Sequence, residues 1–104
     1  MNNTEILTDL KKKLIKRFGT DVQDVILYGS QLSGSNSESD YDILILLKSK
    51  PDWQIEREIS DICYEIDLEY GIITDVHILG SDELDSPRGR QPVFVNAISG
   101  GLHV

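Results

Sequence analysis

Residues 41–47 read Tyr-Asp-Ile-Leu-Ile-Leu-Leu, and the last five are aliphatic without a break. A strand with one face in water alternates apolar and polar side chains, because successive residues point to opposite faces. This run does not alternate, so both of its faces need cover. Lys48-Ser-Lys-Pro51 closes it, and proline cannot continue a ladder. A chain of 104 residues supplies one small domain with one core and no more. The run therefore predicts the inner strand of a sheet packed with helices.

The rest of the chain can be fitted around that strand. Ile6, Leu7, Leu10, Leu14, Ile15 and Phe18 follow helical spacing and predict a helix over residues 4–18, capped by Asn3 or Thr4 and ended by Gly19. Val25-Ile-Leu-Tyr28 reads as a short buried strand. Asp52 is placed to cap a second helix over residues 53–70, with an apolar stripe of Ile55, Ile59, Ile62, Cys63, Ile66 and Tyr70 and with Gly71 after it. Ile72 to Leu79 reads as a third strand. Ser81 to Ser86 is an acidic turn, and residues 87–92 form a loop. Val93 to Ser99 predicts a last short helix, closed by Gly100-Gly101. The order is helix, strand, strand, helix, strand, helix. This is an α+β (mixed α/β) chain with a small mixed sheet of about three to four strands. Residues 1–104 read as a single domain.

Charge and composition exclude several classes. The net charge is −8, which repels nucleic-acid backbones and anionic membranes, so neither is an expected partner. One phosphate-bearing ligand stays compatible, because a metal ion reverses charge locally. The single cysteine, Cys63, cannot form an intrachain disulfide and reads as a buried thiol. No stretch reaches the roughly 18–20 apolar residues of a membrane span, and the first residues lack signal-peptide order. A cytoplasmic protein is expected. Lys11, Lys12, Lys13, Lys16 and Arg17 read as a solvated face near a helix end, Arg88 and Arg90 as solvated loop residues, and Trp53 as core or half-buried packing.

Between the first two strands lies Tyr28-Gly-Ser-Gln-Leu-Ser-Gly-Ser-Asn-Ser-Glu-Ser-Asp-Tyr-Asp42. Gly29 follows a strand directly, where glycine permits a sharp turn and close approach of a ligand. Ser30 adds a hydroxyl and an N–H, and Gly34 a second permissive point; such a run can cradle phosphate oxygens. It is not a P-loop, since no Gly-Lys-Ser/Thr follows. At the far end, Asp40 and Asp42 are two apart and project from one strand face. Adjacent carboxylates repel and resist ionising together. Magnesium, which takes oxygen ligands, gives such a pair a purpose. Two acids at a solvated strand edge would give the same letters; the Gly-Ser before them and the apolar strand after them favour a site. Asp75, inside Ile-Ile-Thr-Asp-Val-His-Ile-Leu, reads either as a third ligand or as a strand-end acid bonded to a neighbouring amide or to His77. His77 shares its face, and reads as a core or surface histidine. His103, in the tail, carries no signal.

Strand, Gly-Ser, loop, Asp-x-Asp and apolar strand together resemble the signature of the DNA polymerase beta-like nucleotidyltransferases, best over residues 25–47. The small size resembles the minimal nucleotidyltransferases of bacteria and archaea, and Pro92-Val-Phe-Val-Asn-Ala-Ile-Ser-Gly-Gly-Leu-His-Val104 is similar to their tails. The resemblance implies a nucleotidyltransferase-like fold. It implies that Gly29 and Ser30 hold the phosphates of a nucleoside triphosphate, and that Asp40, Asp42 and Asp75 bind Mg2+, two ions in all. Asp75 would also help deprotonate the attacking hydroxyl. The implied reaction transfers a nucleotidyl group, adenylyl from ATP foremost, to a hydroxyl. The implied partner is a helical protein of the HEPN class, which the chain would counter as antitoxin, in some pairs by adenylylating a toxin tyrosine. The alternative is a catalytically weak antitoxin acting by contact alone; a homo-oligomer is left open. The chain departs from the common Gly-Ser-x-Ala-Arg-Gly loop, with Ser33 at the arginine position.

Overall fold

The apolar run is an inner strand of a four-stranded sheet. In the computed structural model, which describes residues 3–29 and 40–104, the elements are α1 (Asn3–Phe18), β1 (Val22–Tyr28), β2 (Tyr41–Leu47), α2 (Trp53–Tyr70), β3 (Thr74–Gly80), α3 (Pro92–Gly100) and β4 (Leu102–His103). Short 3-10 turns at Gly19–Asp21 and Ser81–Glu83 complete them. The sheet order is β3-β2-β1-β4. β1 is antiparallel to β2 and to β4, and β2 is parallel to β3. The parallel step needs a crossover, which α2 supplies.

Strand parity sorts the core into two layers. Val25, Leu27, Ile43, Ile45, Leu47 and Ile78 meet Leu7, Leu10 and Leu14 of α1 and Ile59, Cys63 and Ile66 of α2. On the opposite face Ile26, Leu44, Leu46 and Leu79 meet Phe94 and Ala97 of α3. Residues 43–47 are thus buried from both sides. Each fully buried aliphatic side chain here contributes about 1.5–3 kcal/mol.

Local signals set the helix ends. Asp52 Oδ1 accepts the Ile55 amide at 2.8 Å, capping α2, and Gly71 ends it in the left-handed region at φ 66°. Pro92 opens α3 at its first turn. Tyr70, on the apolar stripe of α2, donates its hydroxyl to Asp9 at 2.8 Å, joining the two long helices.

Four expectations change. β1 starts at Val22 rather than Val25, because the irregular pairing between Val22 and Asp24 lets polar Gln23 and Asp24 enter the strand. β3 starts at Thr74 rather than Ile72. Ile73 instead lends its carbonyl to the Tyr41 amide at 2.8 Å. The fourth strand, within the expected three to four, lies in the tail, where none was placed from the sequence: Leu102 and His103 pair with Leu27 and Ile26. Trp53 is not core: it is 75% exposed at the start of α2, and Ile15 is 45% exposed. The basic run on α1 also does more than meet water. Arg17 bonds Glu58, Lys13 lies 4.0 Å from Glu65, and Lys11 donates to the Val104 carbonyl. Arg88 pairs with Glu83 at 3.5 Å.

Candidate active site

The face covered by α3 is covered only in part, and its open end carries the polar residues. Leu44 and Leu46 point to α3, so parity places Asp42 on that face. Leu79 does the same for Asp75 and His77, and Tyr28 packs on the α3 side with Ile26. The register then joins three strands: Tyr28 is paired with Asp42, and Asp42 with Asp75. Tyr28, Asp42 and Asp75 therefore form one row across β1, β2 and β3. Direct cross-strand partners have Cβ atoms about 4.5–5.5 Å apart.

Gly29 ends β1 against this row. Its φ is 78°, a conformation that side chains disfavour. A Cβ built on it would lie 2.2 Å from Asp42 Oδ2 and 3.1 Å from Asp42 Cγ. The Asp42 carboxylate thus occupies the space that any other residue at position 29 would need. Ser30, the expected companion of Gly29, lies outside the described residues, as does Gly34.

The electrostatics follow from this crowding. Asp42 is pushed above the usual carboxylate range by burial first, then by the charges of Asp75 and Asp40, with His77 opposing. Asp40 precedes β2 and is exposed; its charge is nonetheless felt at Asp42. The Tyr28 phenol is pushed up to about 12 by burial, then by Asp42 and Asp75, so it keeps its proton and can donate. His77 Nε2 lies 3.9 Å from Asp75 Oδ1. Its ring meets that of Phe94 edge-on, with centroids 5.5 Å apart at 66°. Through that contact α3 borders the row.

The structure therefore brings Asp42, Asp75 and Gly29 together, with Asp40 beside them. Among the described residues, no group of three or more His, Cys, Asp or Glu side chains is gathered closely enough to hold a metal ion. The acids form an open row rather than a closed cage. Tyr28 was missed from the sequence, although the alternation Ile26, Tyr28 on a strand ending at Gly29 could have placed it. His103 was also missed. Its Nδ1 is 2.5 Å from Asp24 Oδ2 and its Nε2 is 2.8 Å from the Ile98 carbonyl. Both partners are acceptors, so both bonds are made only when both ring nitrogens carry a proton. The bond to Asp24 and the bond to Ile98 hold its protonation above the ordinary range.

A mixed sheet with helices on both faces, and a strand–glycine turn packed against paired strand-borne acids, define a nucleotidyltransferase-like fold. The chain belongs to the nucleotidyltransferase domain family, whose model matches residues 7–95. Two proteins of Methanocaldococcus jannaschii, both named "Putative protein adenylyltransferase", are similar to it. One is 37% identical over 75 residues, 69% of this chain and 50% of that protein. Another is 34% identical over 74 residues, 70% of this chain and 75% of that protein. The chain thus spans about half the length of the first relative. No helix among the described residues is long and apolar enough to cross a membrane.

Proposed function

We propose that this chain is a magnesium-dependent nucleotidyltransferase that moves an adenylyl group from ATP to a hydroxyl of another protein. The observation that carries the reading is the Asp42 carboxylate lodged against Gly29 and paired in register with Asp75. Two carboxylates on adjacent strands, one of them held above its ordinary range by burial and then by its neighbour's charge, suit a divalent cation. The donors are all oxygen, as magnesium prefers, and one or two carboxylates plus substrate phosphates are enough to hold it. Asp40 and Asp42 would hold one ion, and Asp42 and Asp75 a second. When bound, magnesium neutralises the phosphates and polarises the phosphoryl group under attack.

The chain's own residues do the rest. Gly29, with no side chain, leaves room for the Asp42 carboxylate; its exposed backbone would face the triphosphate, with Ser30 as its expected companion. Asp75 takes the proton of the acceptor hydroxyl. The acceptor oxygen bonds to the α-phosphorus as the bond to the bridging oxygen breaks, and pyrophosphate leaves. Positioning and charge carry such chemistry, so few groups suffice. The names of the two relatives support a protein as acceptor. A tyrosine of a HEPN-type toxin, for which this chain would be the antitoxin, is the acceptor that the family resemblance implies.

A second reading makes the chain a binding subunit that neutralises its partner by contact. It is favoured by Tyr64, Leu68 and Ile73, which are 62%, 68% and 64% exposed. One experiment separates the two. ATP is titrated into the protein with and without magnesium, for wild type and Asp42→Asn, and the transfer of adenylyl label to a co-expressed partner is followed. Magnesium-dependent binding and labelling, both lost in Asp42→Asn, support the enzyme. Neutralisation of the partner that survives Asp42→Asn refutes it in favour of contact.

A further inference from the structure

The sheet has two edges, and they are built differently. Natural sheets blunt an edge with a short strand, a lysine, a proline or a bulge. β4 has only two residues. β3 has seven, with no lysine or proline among them, and its register with β2 is unbroken. The Ile73 carbonyl accepts the Tyr41 amide, so Ile73, Asp75, His77 and Leu79 turn their backbone groups to β2. Thr74, Val76, Ile78 and Gly80 turn theirs outward. Carboxylates close both ends of this edge. Asp67 Oδ1 accepts the Thr74 amide at 3.1 Å, and Glu83 Oε1 accepts the Gly80 amide at 3.0 Å. Between them the amides of Val76 and Ile78 have no partner among the described residues.

A cavity of about 220 Å³ opens beside this gap, on the α2 face of the strand. Ser60, Cys63, Tyr64 and Asp67 line it from one side of α2, and Thr74 and Val76 from β3. Tyr64, 62% exposed, and Val76 give it an apolar wall. Asp67 gives it a negative charge, and Asp67 Oδ2 bonds no other described residue. A long cationic side chain suits both features, its stem along the wall and its head at the carboxylate. The other face of the same strand carries Asp75, in the acidic row.

We infer that the β3 edge takes up an extended segment of the acceptor protein as an added antiparallel strand, with a lysine or arginine in the cavity and the hydroxyl-bearing residue directly after it. The hydroxyl's role rests on the proposed function; the docking does not. In an antiparallel pair the residue opposite Val76 exchanges both backbone bonds with it. Its side chain falls on the Val76 face, towards the cavity. The next residue of the segment stands opposite Asp75, on the face of the row, with Cβ atoms about 4.5–5.5 Å apart. Recognition and chemistry thus fall on consecutive residues. A second copy of this chain suits the edge poorly. Two β3 strands side by side would gather the Asp67 and Asp75 carboxylates of both copies at one seam, and like charges across strands destabilise pairing.

The test uses the full chain, isotope-labelled for amide resonances, and three short peptides that alternate valine and threonine. One has a central Lys-Thr pair, one a central Glu-Thr pair, and one is the lysine peptide with its edge-facing amides N-methylated. The lysine peptide should shift the Val76 and Ile78 amides and slow their exchange with solvent. The glutamate peptide should bind about fivefold more weakly, the worth of an ion pair, and the N-methylated one should leave both amides unmoved. Val76→Pro deletes an outward N–H without touching the ladder to β2; it should weaken the lysine peptide by about tenfold, with thermal melting as the check on its fold. In wild type with magnesium and ATP, adenylyl label should reach the threonine after the lysine. Unmoved Val76 and Ile78 amides, or equal binding of the N-methylated peptide, would overturn the docking without recourse to any variant. A dimer in sedimentation that dissolves in Val76→Pro would overturn it in favour of a second copy. Docking without label in a chain that binds magnesium and ATP would overturn the delivery of the hydroxyl. If magnesium and ATP do not bind at all, the proposed function falls and the hydroxyl's role with it, while the docking is still decided by the two amides.

Discussion

Replacing Gly29 with alanine tests the centre of the site, because two costs add there and nowhere else in the described chain. The first is conformational. At φ 78° a non-glycine residue pays about 1–2 kcal/mol for the left-handed backbone. The second is steric. The new Cβ would lie 2.2 Å from Asp42 Oδ2, 3.1 Å from Cγ and 3.4 Å from Cβ. Asp42 cannot withdraw its backbone, since it is paired on both sides. Its carboxylate must turn off its preferred rotamer, at about 0.5–1.5 kcal/mol. The sum is roughly 1.5–3.5 kcal/mol. Gly71→Ala is the internal control: its φ is 66°, yet a Cβ there meets nothing within 4 Å, so only the first cost applies. For a domain of this size each kcal/mol lowers Tm by roughly 4–8 °C. Gly29→Ala should therefore melt several degrees below Gly71→Ala. Calorimetric titration with magnesium and ATP should show Gly71→Ala unchanged and Gly29→Ala weaker by at least about tenfold, or 1.4 kcal/mol, because the displaced carboxylate is a proposed ligand. Equal melting and equal binding for the two variants would refute the argument that Asp42 fills the glycine's missing side chain.

The other outcomes concern charge and capping. Asp42→Asn should abolish magnesium-dependent ATP binding while leaving Tm at pH 7 unchanged or raised, since it removes a charge that Asp75 and Asp40 oppose; a clear loss of stability would contradict the crowding. His103 has a folded pKa raised above its ordinary 6.5, first by its bond to Asp24 and next by its bond to Ile98. Its contribution is therefore complete below 6.5 and disappears as pH rises through the raised value. The Tm gap between wild type and His103→Gln should be wide at pH 5.5 and narrow by pH 9, and a constant gap would refute an imidazolium. Asp52→Ala should cost about 1 kcal/mol in a urea melt, the usual loss of a helix N-cap, with nucleotide binding intact.

The elements that were legible in the sequence are those whose signal is local. The helix over 53–70 has a cap at Asp52, a glycine stop at Gly71 and helical periodicity, and the strand over 41–47 is an unbroken apolar run closed by a proline segment; both appear with the expected bounds. The start of β1 was hidden because Gln23 and Asp24 look like loop and enter the strand only through irregular pairing. β4 was hidden because two residues have no periodicity; it exists only because Ile26 and Leu27 offer an edge. The site divides the same way. Parity within one strand put Asp40 with Asp42, and Asp75 with His77. The row that joins Tyr28, Asp42 and Asp75 depends on register between strands, which packing sets and no stretch of sequence states. His103 gives the plainest case, since its partner Asp24 is 79 residues away.

The uneven cover of the sheet explains why the site lies where it does. α1 and α2, with 16 and 18 residues, roof one face, whereas α3 has only 9 for the other. An acid under a full roof would lose most of its hydration, at a cost of several kcal/mol, and would neutralise itself by shifting its pKa. An acid on a free loop would keep its charge but not its position. The strands avoid both outcomes within two residues. Asp42 is followed on its face by Leu44, Asp75 by His77 and then Leu79, and Tyr28 is preceded by Ile26. Leu44, Leu79 and Ile26 are buried against α3. Asp42 and Tyr28 thus stand one step, and Asp75 two steps, beyond a packed neighbour on the same rigid strand, which holds each in place while the short helix leaves it open. Lengthening α3 toward the row would close the site, and loosening the Phe94–His77 contact would free its border. The reach of that one helix therefore sets how much of the acidic row stays hydrated and accessible.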